Sequence, residues 1–556
     1  MTVILQLDDA RAGAHKNDGG GQGEFSASML RSSEAWMVRF GPSALAASKA
    51  YVLMMRDLIA AIDLGSNSFR LQVGRIVGDQ IYPLDGFKES VRLAAGLSNE
   101  KILDMAAQQR GLTALRQFHE RLHDFKPDAV RAVGTNTLRV AKNSPEFLIR
   151  AEAALGFPIE VIAGREEARL IYVGVAHTLP DPHRQTLVVD IGGGSTEFII
   201  GKSFEPQLLE SRYMGCVGYS LRFFPDGVVD KRSLKAAELA ARREMQNIVQ
   251  AYREAGWDEA VGSSGSAKAL VEILEQNGFS SGGVTRDGLE KLRAELLRAG
   301  SLDALQLAGL REDRLPVLLG GFIIMSALFK ELRLEHMVFS EGALRLGVLY
   351  DLLGRYHHHD LRDATVTAFV RRYGVDLRQA QSVADTACHL LAQLAPEMGS
   401  PDNIEYRFLR WAAMLHEIGV SVAHSSYHKH SAYILANADM PGFSRMDQGR
   451  LSRLVLSHRG KLERVSMIDP DSADWMLIAC LRLAVVIHRA RDARGVPPLT
   501  LQRNGRGFLL SAPSGWVQKL PLTAAALEEE RRQWIALGRD LVVRSPAARS
   551  VGLVGR

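Results

Sequence analysis

The chain has 556 residues, of which 46% are hydrophobic and 24% charged, the composition of a globular protein with about three to four domains. Its uninterrupted apolar runs stay well short of the roughly 20 residues of a membrane-spanning helix, which argues against an integral membrane protein. Three distant cysteines, Cys216, Cys388 and Cys480, form neither a disulfide framework nor a paired metal motif and predict a reducing, cytoplasmic compartment. The net charge of +5 agrees with a polyanionic partner.

Residues 1–56 differ from the rest of the chain. Three consecutive glycines at 19–21 and scattered Ser, Asp and Asn give no sustained periodicity. The segment also lacks the basic start and apolar centre of a signal peptide. We predict a disordered extension or a start-site artefact, with Met54 and Met55 as plausible initiators just before the first clear strand.

Two copies of a strand, turn and strand pattern organise the remainder. In residues 59–73 a β-branched run ends at Asp63, a glycine-containing turn follows, and a second apolar run begins. Residues 188–200 repeat this order around Asp190, 127 positions further on. A repeat at constant offset predicts two similar α/β lobes that face each other across a shared cleft.

The two turns have the chemistry of a phosphate site. Glycines let backbone N–H groups approach an anion closely, because no Cβ intervenes. The carboxylates of Asp63, Asp190 and Glu197 repel a bare phosphate and are therefore predicted to hold a divalent cation. The turn residues predicted to bind phosphate oxygens are Gly65, Ser66, Asn67, Ser68, Gly192, Gly193, Gly194 and Ser195. The serines could instead only shape the turns.

Two other phosphate motifs are excluded. Gly201-Lys202-Ser203 resembles the end of a P-loop, but the required earlier glycine falls on Thr196. The dinucleotide-binding fingerprint fails because its third glycine position is Glu197 and strand-like residues follow.

Further elements follow from periodicity and turn residues. In the first lobe we predict a strand near Ile81, a basic turn at 88–92, a helix over about 100–123 and strands at 129–133 and 159–162. A helix with acidic residues in its first turn is predicted to begin at Gly164. Further on we predict a helix over 236–254, a third Gly/Ser turn at 261–269 and helices to about 353. Beyond the histidines at 357–359 the chain is helix-patterned to about 494, and a small α+β part begins at 499. The predicted domains are 1–56, 57–170, 171–353, 354–498 and 499–556.

These ordered motifs resemble one family. The paired turns are similar to those of the actin, sugar-kinase and chaperone-ATPase superfamily, and the chain resembles the exopolyphosphatase and guanosine pentaphosphate phosphatase family in its long, four-domain form, closest to exopolyphosphatase. The matching stretches are residues 61–69, 134–139, 166–171, 190–197, 215–217, 410–417 and 430–435. The resemblance implies an α/β fold of two actin/ribonuclease-H-like lobes around a cleft, then an all-helical HD-like domain and a small α+β C-terminal subdomain.

The resemblance implies Mg²⁺-assisted hydrolysis of the terminal phosphoanhydride of inorganic polyphosphate, or of guanosine pentaphosphate by the same site. It assigns Glu167 as the general base, a role typically worth ~10²–10⁴ in rate. Without the family resemblance, Glu167 would be interpreted as a solvated acid in the first turn of a helix, where it favours the helix dipole. The further residues expected to bind phosphate are Arg92, Thr135, Asn136, Arg139, Gly265 and Ser266. Arg92 and Arg139 could equally be surface charges, and the turn at 263–266 a helix cap.

The helical C-terminal region departs from the metal-binding HD pattern, because His416 is followed by Glu417 instead of Asp. Other histidines are close in sequence without forming a clean ligand set, so a structural or chain-guiding role is expected. The expected partners are inorganic polyphosphate, guanosine pentaphosphate and a second copy of the chain, with no nucleic acid; peripheral membrane association stays open. A sugar-kinase-like phosphotransferase and a non-catalytic binder are the alternative function classes.

Overall fold

The computed structural model describes residues 57–356, 360–491 and 496–545. The predicted extension at 1–56 and the histidines at 357–359 lie outside these residues. The strands are β1 Leu58–Leu64, β2 Phe69–Val77, β3 Gln80–Glu89, β4 Val130–Gly134, β5 Ile159–Val161, β6 Thr186–Ile191, β7 Thr196–Lys202, β8 Glu205–Arg212, β9 Glu259–Ser263, β10 Val284–Thr285, β11 His336–Phe339, β12 Thr500–Asn504, β13 Gly507–Ser511 and β14 Leu541–Arg544.

The α-helices alternate with these strands up to β11 and then dominate the chain. They are α1 Met105–Leu122, α2 Asn136–Val140, α3 Ser144–Leu155, α4 Gly164–Ala176, α5 Cys216–Phe223, α6 Lys231–Met245, α7 Val249–Ala255, α8 Ser264–Gln276, α9 Arg286–Ala299, α10 Leu318–Leu332, α11 Leu344–Tyr356, α12 Leu361–Arg372, α13 Leu377–Leu394, α14 Ile404–Leu415, α15 Tyr427–Asn437, α16 Arg445–Ser457, α17 Asp474–Ile487, α18 Trp516–Lys519 and α19 Pro521–Ala536.

The predicted repeat is confirmed by two sheets of the same topology. The first has the strand order β3-β2-β1-β4-β5, and the second has β8-β7-β6-β9-β11 with β10 added at its edge. In both sheets the first three strands in sequence are antiparallel neighbours and the next two run parallel to the first. The two hairpins also share their register, since Asp63 faces Arg70 and Asp190 faces Glu197. The fold is therefore α/β, with two actin-like lobes.

An apolar core joins the two lobes. The β-branched residues of β1, β4, β6 and β9 alternate toward it, among them Ile59, Val133, Val188 and Val261, all buried. Helices α4 and α11 lie in this same core. Their backbones are in direct contact at Gly347, where a Cβ would collide with the carbonyl oxygen of Leu170. This contact places the first turns of both helices beside the cleft.

The second lobe has its own core around α10. The segment Leu315–Leu332 is long and apolar enough to cross a membrane by length and composition, and 72% of it is buried inside the protein. It packs against α5 and α6. Its apolar character is therefore matched by neighbours within the lobe.

Residues 360–491 are helical, as predicted, and they share one hydrophobic core with the C-terminal sheet. Trp411 of α14 and Trp534 of α19 belong to this core, together with Leu501 and Leu510 of the sheet. The sheet has the order β12-β13-β14, with β13 and β14 parallel.

Two sequence predictions of elements were wrong. Helical patterns were expected to continue to about residue 353, but β11 (His336–Phe339) is a strand beside β9. The helix expected over 236–254 is divided into α6 and α7. A four-residue strand is too short to show a period of its own, so only its pairing reveals it.

Candidate active site

The two predicted turns face each other across a cavity of about 110 Å³. Most of the residues expected to carry the chemistry line it. They are Asp63, Gly65, Ser66, Asn67, Ser68, Thr135, Glu167, Asp190, Gly192, Gly193, Gly194, Ser195, Gly265 and Ser266.

The turns touch each other closely. A Cβ on Gly193 would lie 3.1 Å from the backbone nitrogen of Asn67, and one on Gly194 would lie 3.0 Å from Ser66 Oγ. Helix α5 supports the second turn, since the backbone N–H of Val217 donates to Gly193 O at 3.1 Å. The hydroxyl of Ser266 supports the same region by donating to Ile191 O at 2.9 Å. Glycine is needed at this point because a larger residue would separate the lobes.

The cavity holds buried carboxylates whose loss of solvation is not fully offset by nearby cations and hydrogen-bond donors. Burial, followed by the neighbouring Asp190, raises the pKa of Asp63 to about 6, although Arg345 and Arg70 oppose the shift. Burial also raises the pKa of Asp190, whose carboxylate accepts a hydrogen bond from Ser263. Asp63 Oδ1 is buried without a hydrogen-bond partner. A buried oxygen of this kind is a ready ligand for a cation or a donor group.

Glu167 lies in the first turn of α4 and points into the cavity. Its Oε2 accepts a hydrogen bond from Arg139 Nη1 at 3.0 Å, and the exposed fraction of each side chain is only 9%. Burial raises the pKa of Glu167 to about 7, against the lowering effect of Arg139. A carboxylate with a pKa near neutrality is suited to accept a proton at physiological pH.

Four predicted residues stand outside the cavity lining. Arg139 contacts Glu167 and the carbonyl of Ile162. Asn136 lines a neighbouring cavity, and Arg92, immediately before a 3₁₀ turn at Leu93–Gly96, is exposed. Glu197 is buried and accepts a hydrogen bond from Ser211 Oγ at 2.8 Å. Their roles in phosphate or metal binding stay predictions.

Three arginines that sequence reasoning missed line the cavity: Arg70, Arg314 and Arg345. Burial lowers the pKa of each guanidinium. The repeat could have revealed Arg70, because it stands opposite Asp63 as Glu197 stands opposite Asp190. The other two lie far along the chain and carry no local signal. Guanidinium groups in a buried cavity provide strong, directional binding of phosphate oxygens.

The donor atoms at this site fit a hard cation such as Mg²⁺, which binds oxygen ligands. Asp63 Oδ1 has no partner and faces the same cavity as Asp190. Within residues 57–356, 360–491 and 496–545, no three His, Cys, Asp or Glu side chains are close enough to form a metal group by themselves. Mg²⁺ is usually held by one or two carboxylates with water and substrate phosphate, which agrees with this arrangement.

The histidine region of the helical part has a different character. His416 and His458 are buried, and burial lowers the pKa of both rings. Their Nδ1 atoms lie 2.6 Å from the carbonyls of Ala413 and Val455, respectively. Glu417 pairs with Arg491. The Nδ1 atoms of both histidines and the Glu417 carboxylate are therefore engaged by partners within the helical region.

Comparisons with known proteins agree over most of the chain. Residues 72–356 match the model of the Ppx/GppA phosphatase family, and residues 361–531 match Ppx/GppA phosphatase, domain III. The chain is 41% identical over 483 residues to a guanosine-5'-triphosphate,3'-diphosphate pyrophosphatase of Aeromonas hydrophila subsp. hydrophila, covering 86% of this chain and 97% of the relative.

Solved structures match about half of the chain. The crystal structure of an exopolyphosphatase from Cytophaga hutchinsonii is 26% identical, covers 53% of this chain and 97% of that chain, and has a TM-score of 0.49. The crystal structure of the Aquifex aeolicus member of the Ppx/GppA family is 25% identical, covers 54% and 99%, and has a TM-score of 0.45.

Proposed function

Because the chain belongs to the Ppx/GppA phosphatase family, and is thus a hydrolase, we propose that it removes the terminal 5'-phosphate of guanosine 5'-triphosphate 3'-diphosphate. The observation that carries this proposal is Glu167, a buried carboxylate with a pKa of about 7 at a cavity lined by two glycine turns. The substrate assignment is supported by the relative of that name, which aligns over 97% of its length.

The residues of the cavity divide the chemistry between them. Backbone N–H groups of the turns and the guanidinium groups of Arg70, Arg314 and Arg345 bind the oxygens of the terminal phosphate. Glu167 accepts a proton from a water molecule whose oxygen attacks the terminal phosphorus. The bond from that phosphorus to its bridging oxygen breaks, and the bridging oxygen leaves with the electron pair. The products are orthophosphate and guanosine 5'-diphosphate 3'-diphosphate.

Mg²⁺ is part of this proposal, with Asp63 and Asp190 as its protein ligands. Bound Mg²⁺ would neutralise charge on the transferred phosphoryl group. In protein treated with EDTA, we expect phosphate release to fall to background and to return on addition of Mg²⁺. Asp190→Asn should raise the Mg²⁺ concentration for half-maximal activity roughly tenfold or more. Loss of even an outer partner of a metal site lowers metal affinity or activity by about 10–100-fold. Equal Mg²⁺ dependence in both proteins would contradict Asp190 as a ligand.

Hydrolysis of inorganic polyphosphate, which the sequence motifs favoured, becomes the second candidate. The same cavity and base suit both reactions, since each removes a terminal phosphoryl group from a phosphoanhydride. The name of the 41% identical relative supports guanosine pentaphosphate as the substrate better than polyphosphate. Phosphate release by the wild type from each substrate, compared as kcat/KM, decides between them.

The test of the base assignment is Glu167→Gln. We expect kcat to fall by ~10²–10⁴, because the amide cannot accept the proton, while KM changes by less than about threefold. Phosphate release from guanosine pentaphosphate is the measurement, and Glu120→Gln, an exposed change on α1, is the control. Full activity of Glu167→Gln would refute its role as base. Absence of release by the wild type would refute the proposed substrate.

A further inference from the structure

The proposed base, Glu167, lies in a helical turn that has no capping side chain. The N-cap residue of α4 is Ala163, whose methyl group cannot accept a hydrogen bond from the free N–H groups of the first turn. Arg165 adds a cation to this end of the helix, where the helix dipole disfavours positive charge. The first turn of α4 therefore depends on contacts from other parts of the protein.

A loop of the helical region forms an ion pair with this turn. The loop comprises residues 438–443 and connects α15 to α16. Asp439 Oδ2 lies 2.7 Å from Nη1 of Arg165, and Oε1 of Glu210, on β8, lies 2.6 Å from Nη2. Arg165 is thus fixed between the second lobe and the helical region, and its charge at the start of the helix is compensated.

The α15–α16 loop also contacts Glu166, the residue directly before Glu167. The backbone N–H of Gly442 donates to Glu166 Oε2 at 3.1 Å. The Glu166 side chain is buried, and Arg169 Nε donates to the same oxygen at 2.8 Å. A buried carboxylate that accepts these hydrogen bonds has little freedom to rotate. The loop therefore fixes α4 immediately on the N-terminal side of Glu167.

The loop is held by the helices that surround it. Gly442 has a φ of +85°, and a Cβ there would lie 3.1 Å from Cγ of Arg362, on α12. The carbonyl of Gly442 accepts a hydrogen bond from Arg355 Nη2, on α11, at 3.2 Å. The carbonyl of Pro441 accepts one from Thr365 Oγ1, on α12, at 2.8 Å. Because of these contacts, the position of the loop follows the helices and not α4.

We propose that the α15–α16 loop positions the proton acceptor: through Asp439 and Gly442, the helical region fixes the first turn of α4 and thereby the carboxylate of Glu167 in the cavity. The inference rests on the proposed function, because it takes Glu167 as the base. Asp439 and Gly442 are not among the residues that line the cavity. They are therefore positioning residues, which act on the rate through Glu167 and leave phosphate binding to the turns and the arginines.

Asp439→Asn tests the ion pair, because it keeps the size of the side chain and removes its charge. For phosphate release from guanosine pentaphosphate we expect kcat to fall about threefold to fivefold, the upper range for one exposed ion pair. KM should change by less than about twofold. Asp439→Glu keeps the charge and should retain kcat within about 1.5-fold. Asp385→Asn, which removes a similarly exposed pair with Arg410 in the helical region, is the control and should leave kcat unchanged.

Gly442→Ala tests the loop itself. Alanine is strained at a positive φ, and its Cβ would press on Arg362, so the loop should move away from Glu166. We expect kcat to fall about tenfold, less than the roughly 10²-fold effect of an error of 1 Å in position. Gly374→Ala is the matched control. Gly374 lies in the same helical region with a φ of +60°, and no described atom beyond its chain neighbours lies within 4 Å of its Cβ position. Both changes should lower Tm, but only Gly442→Ala should lower kcat.

The Glu167→Gln background distinguishes positioning from a general structural effect. Asp439→Asn and Gly442→Ala should each change the residual kcat of Glu167→Gln by less than about 1.5-fold, because the amide accepts no proton in either position. This residual rate is measured at high protein concentration. Equal fold losses in the presence and absence of Glu167 would overturn the inference.

Failure of the proposed function has a different signature from failure of this inference. Wild-type protein that releases no phosphate from guanosine pentaphosphate refutes the proposed substrate, and the same variants are then compared on inorganic polyphosphate, the second candidate. Release from neither substrate, or full activity of Glu167→Gln, refutes the proposed function and this inference with it. Activity that depends on Glu167, with kcat unchanged in Asp439→Asn and Gly442→Ala or with KM raised in place of a lower kcat, refutes the inference alone.

Discussion

Burial has the largest effect on the pKa values of the carboxylates in the candidate active site. Glu167 is set apart from an ordinary helical acid by its enclosure, which raises its pKa to about 7, and by Arg139, which counteracts that rise. Its neighbour Glu166 is also buried, but its carboxylate accepts hydrogen bonds from Nη2 and Nε of Arg169 at 2.7 and 2.8 Å, respectively. Of these adjacent carboxylates on one helix, only Glu167 faces the candidate active-site cavity.

Arg139→Ala tests this balance. As the proposed base, Glu167 would act in its ionised form, so kcat/KM should rise with pH through its pKa. Because Arg139 lowers that pKa, its removal should move the rising limb of the pH profile to higher pH by roughly one unit. The profile of kcat/KM against pH is the measurement, and the exposed Arg116→Ala is the control. An unmoved limb in Arg139→Ala would contradict the assignment of the proton acceptor.

Among the secondary-structure elements, the start of α5 determines the position of the second glycine turn. A Cβ on Gly215, just before that helix, would collide with the backbone of Gly193 and Gly194. Gly218, one turn further on, has open space where a Cβ would lie, with no other atom within 4 Å. The two glycines therefore differ in their contacts although they are three residues apart.

We expect Gly215→Ala to displace the second glycine turn. The collision should reduce the free energy of unfolding by about 1–3 kcal/mol and lower kcat about 10²-fold, the effect of an error of about 1 Å in position. Gly218→Ala should stabilise the helix slightly, since alanine is the better helix former by about 1 kcal/mol. Urea denaturation and phosphate release from guanosine pentaphosphate measure both. Similar effects of the two changes would contradict a specific role for Gly215.

Across the molecule as a whole, a buried charge network connects the lobes to the helical region. Asp351 of α11 pairs with Arg131 of β4 at 2.7 Å and also with Arg169 of α4. The backbone N–H of Gly442, in the helical region, donates to Glu166 at 3.1 Å. Burial alone would raise the pKa of Asp351, but its arginine neighbours lower it well below the usual range. Its stabilising contribution is therefore present near neutral pH and is lost only on acidification.

Asp351→Asn should strongly destabilise the protein. It removes the carboxylate that Arg131 and Arg169 share and leaves them only Glu160 and Glu166, respectively. Breaking a buried ion pair from one side costs about 3–5 kcal/mol. Asp85→Asn, which removes an exposed pair with Arg121, should cost less than about 1 kcal/mol. Chemical denaturation at pH 7 compares the two. Equal stability of both variants would contradict a structural role for the network.

Much of the site could be predicted because it is local in sequence. The two turns, Asp63 and Asp190 are recognised from apolar strands that end in glycine turns, and the repeat predicts that they meet. Arg314 and Arg345 could not be predicted in this way, since their proximity to the turns depends on α10 and α11 packing onto the lobes. The strand β11 was missed for the same reason: four residues are defined by a neighbouring strand and not by their own period.

The two-lobed α/β fold, the paired glycine turns and the helical C-terminal region could all be predicted from the amino-acid order, because strand periodicity, glycine turns and a constant offset of 127 residues are properties of the chain. Which groups face the cavity depended on the packing of the folded protein. Burial and long-range contacts set the pKa of Glu167, paired Arg139 with it, excluded Glu197 from the lining and brought in three arginines. Solvation and electrostatic interactions depend on neighbours that are distant in sequence, and no local pattern records them.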